Sequence, residues 1–198
     1  MGFRKGEIIA VSAPSGAGKT TIVKNLLKQF PEIVFSVSAT TRPKRPDETD
    51  GVEYFFISES EFKQKIQNGE FVEWEKFYDY YYGTYKSFID DNINSGKSVL
   101  LEIDVKGALS IKRIYPDAHL IYIMPPSFEE LERRLRNRKT ETEEDFKKRI
   151  QRAKMELREK DKFDYIINNE DLNKAIKDTS GLVKKIINKE EKNEHRTS

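Results

Sequence analysis

The chain has 198 residues, 36% of them hydrophobic and 11% aromatic, with 36 basic against 34 acidic side chains and a formal net charge of +2. That length suits one compact unit with a real core, and the apolar content excludes a disordered chain. The near balance of charge excludes a nucleic-acid-coating surface, so any basic site must be local, and the absence of cysteine excludes disulfides, thiolate metal sites and a cysteine nucleophile.

From the N-terminus, MGFRKGEIIAVSAPSG holds one short apolar run, too short for a signal core or a membrane span. Gly2 meets the first requirement for N-myristoylation, but Gly6 occupies the place that wants Ser or Thr, so a cytoplasmic, membrane-free chain is expected. Ile8 to Val11 reads as a first strand and Thr21 to Phe30 as a helix. From about Phe35 to Asn94 the pattern changes: VEYFFI, EFVEWEKF and YYYGTY are β-rich and aromatic, separated by turns and one short helix around Glu59 to Asn68. An inserted subdomain is expected there. Val99 to Ile103, Leu120 to Met124 and Tyr165 to Ile167 are further strands, with helices at Ser127 to Arg138, Glu143 to Lys160 and Leu172 to Asn188.

None of the four strand-like runs alternates with period two, which suits strands covered on both faces. Helices between and after them imply right-handed crossovers around a parallel sheet. The expected fold is α/β: a parallel sheet flanked by helices in a core of about 1–34, 95–136 and 156–189, a β-rich insertion at about 35–94, and a small lid at about 137–155 that begins with NRKTETEE. The polar tail 190–198 is expected to fray.

The first strand runs into Ala13-Pro14-Ser15-Gly16-Ala17-Gly18-Lys19-Thr20 and then a helix, the context that a nucleotide phosphate loop requires. Backbone N–H groups of such a loop, with the free N–H groups and positive dipole end of the next helix, surround phosphate oxygens. In this reading Gly16 and Gly18 supply a permissive backbone, Lys19 reaches the β- and γ-phosphates of ATP, and the Thr20 hydroxyl ligates Mg2+. Ala13 stands where glycine is usual, a departure of one methyl group. The competing reading is a glycine-rich turn that closes a strand onto a helix, which the motif in its context outweighs. Such a loop identifies the donor half of the chemistry alone.

The acceptor half is expected at Phe35-Ser36-Val37-Ser38-Ala39-Thr40-Thr41-Arg42-Pro43-Lys44-Arg45-Pro46, followed by Asp50-Gly51-Val52-Glu53-Tyr54-Phe55-Phe56. A phosphomonoester carries about −1.5 to −2 charge and calls for planar, multi-donor cations. Arg42 and Arg45 provide them, on a backbone restricted by Pro43 and Pro46. Tyr54 and Tyr82 have hydroxyls able to donate to the same phosphate, although tyrosines in β-rich segments are often half-buried core residues. By its own pattern Glu73 in EFVEWEKF is the solvent side of an alternating strand. Glu102 and Asp104 end a buried apolar strand, where open α/β sheets place ligand groups.

With Glu70-Phe71-Val72-Glu73-Trp74, Tyr81-Tyr82-Gly83-Thr84, Leu101-Glu102-Ile103-Asp104-Val105-Lys106-Gly107-Ala108 and Arg138-Lys139-Thr140-Glu141-Thr142, these blocks resemble the guanylate kinases, in family order from roughly Gly6 to Asp171. The resemblance implies a P-loop kinase core with a GMP-binding insertion and a lid, and transfer of the γ-phosphoryl group of ATP to GMP and dGMP, giving ADP and GDP for guanine nucleotide synthesis and recycling. It implies that Glu73 contacts the base, assisted by Ser38 and Asp104, with Thr84 near the base or its phosphate. A carboxylate suits guanine, which presents adjacent N–H donors where adenine presents an acceptor. Glu102 and Asp104 also stand where they would orient Mg2+ through water.

Arg134, Arg138 and Arg149 match lid-side arginines that the resemblance assigns to catalysis together with Lys19 and Arg42. Their charge pattern alone makes them solvated faces, like the surrounding Arg133, Arg136, Lys139 and Arg152. Lys139 replaces the glycine common after the arginine matching Arg138, a departure that bears on the hinge of the lid and not on the role of the arginine. Since the acceptor phosphate is already anionic, no general base is needed, and neither His119 nor His195 lies in a motif. Two other readings stand beside this one: a P-loop kinase with a different phosphorylated acceptor, and a non-catalytic guanylate-kinase-like binding module, against which Lys19 and Thr20 argue. No nucleic-acid polymer, membrane or obligatory protein partner is implied.

Overall fold

The structure, a computed structural model, describes residues 5–77, 79–136 and 143–188, apart from the side chain of Asp145. Its elements in chain order are β1 (Ile8–Ser12), α1 (Lys19–Gln29), β2 (Val34–Phe35), β3 (Ala39–Thr40), β4 (Phe55–Phe56), α2 (Glu59–Gln67), β5 (Phe71–Phe77), β6 (Tyr80–Tyr85), α3 (Lys86–Asn94), β7 (Val99–Glu102), α4 (Val105–Ile114), β8 (His119–Met124), α5 (Phe128–Arg136), α6 (Glu143–Arg158), a 3-10 turn at Lys160–Lys162, β9 (Tyr165–Asn168) and α7 (Leu172–Ile187). The parallel sheet has the order β2-β7-β1-β8-β9.

The packing of that sheet explains why its strand sequences do not alternate. Ile9 and Val11 enter one cluster with Ile22, Val23 and Leu26 of α1 and Val183 and Ile186 of α7. Ile8 and Ala10 enter the opposite cluster with Val105, Ala108 and Ile111 of α4 and Ile89 and Ile93 of α3. β8 divides in the same way, Ile121 and Ile123 to one side and Leu120 and Tyr122 to the other. Both faces of β1 and β8 are therefore lined mainly by apolar residues. β9, at the edge of the sheet, instead alternates half-buried Tyr165 and Ile167 with exposed Ile166 and Asn168 and, contrary to expectation, is not covered on both faces.

The second sheet, of order β4-β3-β6-β5, is mixed: β3 lies parallel to β4 and antiparallel to β6, which is antiparallel to β5. It has its own small core, in which the fully buried Phe62 of α2 stacks on Phe71 at 4.4 Å between ring centroids, beside Ala39. All of it lies in the connection from β2 to β7, which are hydrogen-bonded neighbours in the first sheet, as fits an inserted subdomain.

Three elements go beyond the sequence expectation. β2 is a two-residue core strand that includes Phe35; α3 is a second helix within the interval read as β-rich; and α4 follows β7 directly. α1 begins at Lys19, two residues before the expected start, because Gly18 caps it in a left-handed conformation. α6 buries Phe146 and Ala153 in the cluster that holds Leu131 and Leu135 of α5. Residues 137–142, with Arg138 and Lys139, and the tail with His195 lie outside the described residues. No described helix is long and apolar enough to cross a membrane.

Candidate active site

Because the strands of the first sheet run parallel, their C-terminal ends share one edge, where ligands bind in open α/β sheets. The phosphate loop leaves β1 there, Glu102 ends β7, Asp104 follows as the cap of α4, and Asn169 follows β9. Ala13 and Ala17 are buried in the core, so the methyl group at position 13 fills core space at the root of the loop. Gly18 has φ 92°, and a Cβ there would lie 2.6 Å from Asn169 Nδ2. That amide donates to the Ala17 carbonyl at 2.7 Å and braces the loop from the far end of the chain. Gly18 caps α1 without a side-chain hydrogen bond, which leaves the first-turn N–H groups for an anion.

Lys19 Nζ donates to the Ile103 carbonyl at 2.8 Å, and the Thr20 hydroxyl donates to Glu102 Oε1 at 2.5 Å. Both reach across to the end of β7. Beside the loop is a cavity of about 460 Å³ lined by Gly16, Gly18, Thr21, Arg134, Asn169 and Asp171. Arg134 is held at its rim by Glu130, whose Oε1 accepts from Nε at 2.7 Å. His119 instead pairs with Glu7 at 3.2 Å, at the opposite edge of the sheet.

On the second sheet, Tyr82 and Thr84 are alternate residues of β6 and share a face, opposite Glu75 and Glu73 of β5. Arg42 lies 5.6 Å from the ring centroids of both Tyr54 and Phe56, and Tyr54 meets Tyr82 edge-on at 5.8 Å. Its guanidinium donates to Glu48 Oε1 at 2.6 Å, and Arg45 contributes its backbone N–H to Glu48 Oε2 at 2.8 Å while its side chain is exposed. The hydrogen bond to Glu48 raises the Arg42 pKa, and Arg42 in turn holds Glu48 below the ordinary carboxylate range. Ser38 precedes β3, half-buried, with its carbonyl on the Phe55 N–H.

Glu73 is not on a solvated face. Its Oε1 accepts from the Thr84 hydroxyl at 2.6 Å, and Oε2 lies so close over α4 that a Cβ at Gly107 would be 3.0 Å away. Burial pushes its carboxyl up to about 7, against a hydrogen bond from Thr84 that lowers it and the nearby charges of Asp104 and Glu75 that add to the rise. Asp104 caps α4, accepting from the Gly107 N–H at 2.6 Å. Arg152 also departs from expectation. Instead of facing solvent it bonds Asp104, Glu75 and Glu156 at 2.7–2.8 Å.

The phosphate loop, Glu102, Asp104, Glu73, Thr84, Tyr82, Tyr54 and Arg42 thus form a continuous path from one sheet to the other. A guanylate kinase family model matches residues 5–189. The chain belongs to the guanylate kinase family. The guanylate kinase of Thermotoga maritima is 48% identical over 180 residues, covering 91% of this chain and 87% of that protein. That of Clostridioides difficile is 46% identical over 189 residues, covering 96% and 92%. The crystal structure of the guanylate kinase from Anaplasma phagocytophilum superposes with a TM-score of 0.74 at 33% identity, covering 96% of this chain and 88% of that one.

Within this guanylate kinase fold, three contributors escaped sequence reasoning: Asn169, Glu48 and Arg152. Asn169 had a signal, as a polar residue at the C-terminal end of a core strand. Glu48 and Arg152 act through partners that no local motif announces.

Proposed function

We propose that the chain transfers the γ-phosphoryl group of ATP to GMP, and to dGMP, giving ADP and GDP, with the donor on the phosphate loop and the acceptor on the face of the second sheet. The observation that carries this reading is the buried Glu73 carboxylate, which shares a face with Tyr82 and Thr84 and lies next to Asp104, two residues beyond the Glu102 that receives Thr20.

On the donor side, Lys19 exchanges the Ile103 carbonyl for the β- and γ-phosphates, which the N–H groups of the loop and of α1 also meet. The adenosine portion takes the cavity between the loop, Arg134 and Asn169. The Thr20 hydroxyl and Glu102 carboxylate are hard oxygens of the kind that would hold Mg2+ together with phosphates and water, with Asp104 nearby to orient its water. When bound there, Mg2+ would supply charge neutralisation on the transferring phosphoryl group.

On the acceptor side, Arg42 and Arg45 bind the GMP phosphate, Arg42 exchanging Glu48 for it, and the Tyr54 and Tyr82 hydroxyls donate to the same group. Glu73 accepts from adjacent guanine N–H donors, with Ser38, Thr84 and Asp104 around the base. Arg134, Arg138 and Arg149 neutralise charge as it moves from ATP to the acceptor. The acceptor oxygen is anionic, so alignment and charge replace a general base. Closure of the lid expected at about 137–155 would exclude water from the transfer, and a cytoplasmic setting is part of this reading.

Steady-state rates with GMP, dGMP, AMP, CMP and UMP at fixed ATP and Mg2+ test this. GMP and dGMP are expected to exceed AMP in kcat/KM by about 10³ or more, because a site built to pair N–H donors leaves its carboxylate unpaired against adenine. AMP turnover as efficient as that of GMP would sink the role of Glu73.

A further inference from the structure

We propose that Arg152 is a positioning residue for the acceptor: it fixes the carboxylates around the base site and ties α6 to the second sheet, so that the acceptor pocket is complete only with α6 docked on β5. The inference rests on the acceptor reading of Glu73 and Asp104 given above.

One nitrogen of the Arg152 guanidinium donates at 2.7 Å both to Asp104 Oδ2 and to Glu75 Oε2, while Nε donates at 2.8 Å to Glu156 Oε1. The guanidinium also lies 4.5 Å from the ring centroid of Phe77. Glu75 and Phe77 follow Glu73 at every second position of β5, so they share its face of the strand. A single side chain of α6 therefore engages two positions of the strand that carries Glu73 and, separately, the cap of α4.

Asp104 is held at both ends. Its Oδ1 is on the Gly107 N–H and its Oδ2 on Arg152, which fixes the direction in which its remaining lone pairs point. Charge leads to the same residue. Glu75, Asp104 and Glu156 converge on this one fork, and Lys19, whose charge also acts on Asp104 and Glu156, is bonded to Ile103. Without Arg152 three partly buried carboxylates would face one another beside Glu73, and relief of that repulsion would turn Asp104 and β5 away from the base. A planar fork spans three acceptors in a way that a single ammonium does not.

The test uses the full chain. Isothermal titration calorimetry with GMP reads acceptor binding without ATP. In Arg152→Met, the Kd for GMP from calorimetry and the KM for GMP are expected to rise about tenfold or more, with the KM for ATP within about twofold of wild type. Arg152→Lys, which keeps the charge and loses the fork, is expected near a threefold rise, roughly. Adding Glu75→Gln to Arg152→Met removes one opposed charge and is expected to bring the GMP KM back to within about threefold of wild type. A GMP KM unchanged in both Arg152 variants, GMP and ATP KM values rising in step, or no recovery in the double variant overturns the proposal. If Arg152→Met does not fold by its melting curve, Arg152→Lys decides the matter on the same two KM values. A wild-type chain that neither binds nor phosphorylates GMP overturns the acceptor reading itself instead.

Discussion

Glu73 carries its charge against the environment, and the consequences for folding and for function have opposite signs. Its carboxyl binds a proton more tightly folded, at about 7, than at its ordinary value of 4.5. Between those values the folded chain keeps a proton that the unfolded chain has released. The stability this group contributes is thus fully present below pH 4.5 and is lost as pH rises through 7. Acceptor binding requires the ionised form, which alone offers two acceptors to adjacent N–H donors. We therefore expect kcat/KM for GMP to fall as pH drops below about 7, while kcat/KM for ATP stays flat, in a profile that reports the free enzyme. Glu73→Gln should lower kcat/KM for GMP by roughly 10- to 100-fold, the worth of about 1–3 kcal/mol of lost charged hydrogen bonding, and abolish that acid limb. An acid limb that survives in the variant would assign the titration to another group. Lys19 and Thr20 were legible in the sequence because their chemistry is local: a loop, a helix start, adjacent residues. Glu73 was legible through the family resemblance alone, since its burial is made by Thr84 from β6 and Gly107 from α4, and an alternating strand does not say which face is covered.

At the scale of elements, α4 decides how close the two halves of the site approach. Gly107 sits in its first turn, where a Cβ would lie 2.6 Å from Ile103 Cγ1 as well as 3.0 Å from Glu73 Oε2. In an unconstrained helix, glycine to alanine stabilises by about 1 kcal/mol. Here the methyl group has to push Ile103 or Glu73 aside. Gly107→Ala is therefore expected to leave Tm no higher than wild type and to raise the KM for GMP by about threefold or more, with the KM for ATP unchanged. Thermal melting and two substrate titrations check both halves. α4 has a readable start, Asp104 as N-cap before apolar residues 105, 108 and 111, but in IDVKGALS that helical spacing coincides with a ligand motif at the end of a strand. α3 offered less: KSFIDDNIN is rich in Asp and Asn, and its cap, Tyr85, makes no side-chain bond. β2 has two residues, too few for any periodicity.

The molecule as a whole is two sheets of different character. The parallel sheet was legible because burial on both faces leaves the central strands β1, β7 and β8 as near-continuous apolar runs, while β9, exposed on one face, was readable only as a short apolar run. Its order was not, because nothing in β1 names β7 and β8 as its neighbours. The contacts that join distant segments, Asn169 to Ala17 and Arg152 to Glu75, were equally silent, because nothing in the residues around either end names the other. Fully buried Leu26, between α1 and the sheet, measures how much the large core contributes. Leu26→Ala is expected to cost about 2–5 kcal/mol, a Tm lower by roughly 4–20 °C for a chain of this size, with near-normal KM values at temperatures where the variant is folded. Calorimetry and room-temperature kinetics together test it, and a loss of activity without a lower Tm would contradict the assignment.

β1 is buried along its whole length. A strand gripped from above and below by side chains, and on both edges by other strands, has no direction in which to yield. The loop it carries is thus mounted like the fixed jaw of a vice. The small aromatic sheet meets that rigid core through Val72 of β5, buried beside Val105 and Ala108 of α4, and through polar ties such as Arg152 to Glu75, so the spacing of the two jaws is set where β5 lies on α4.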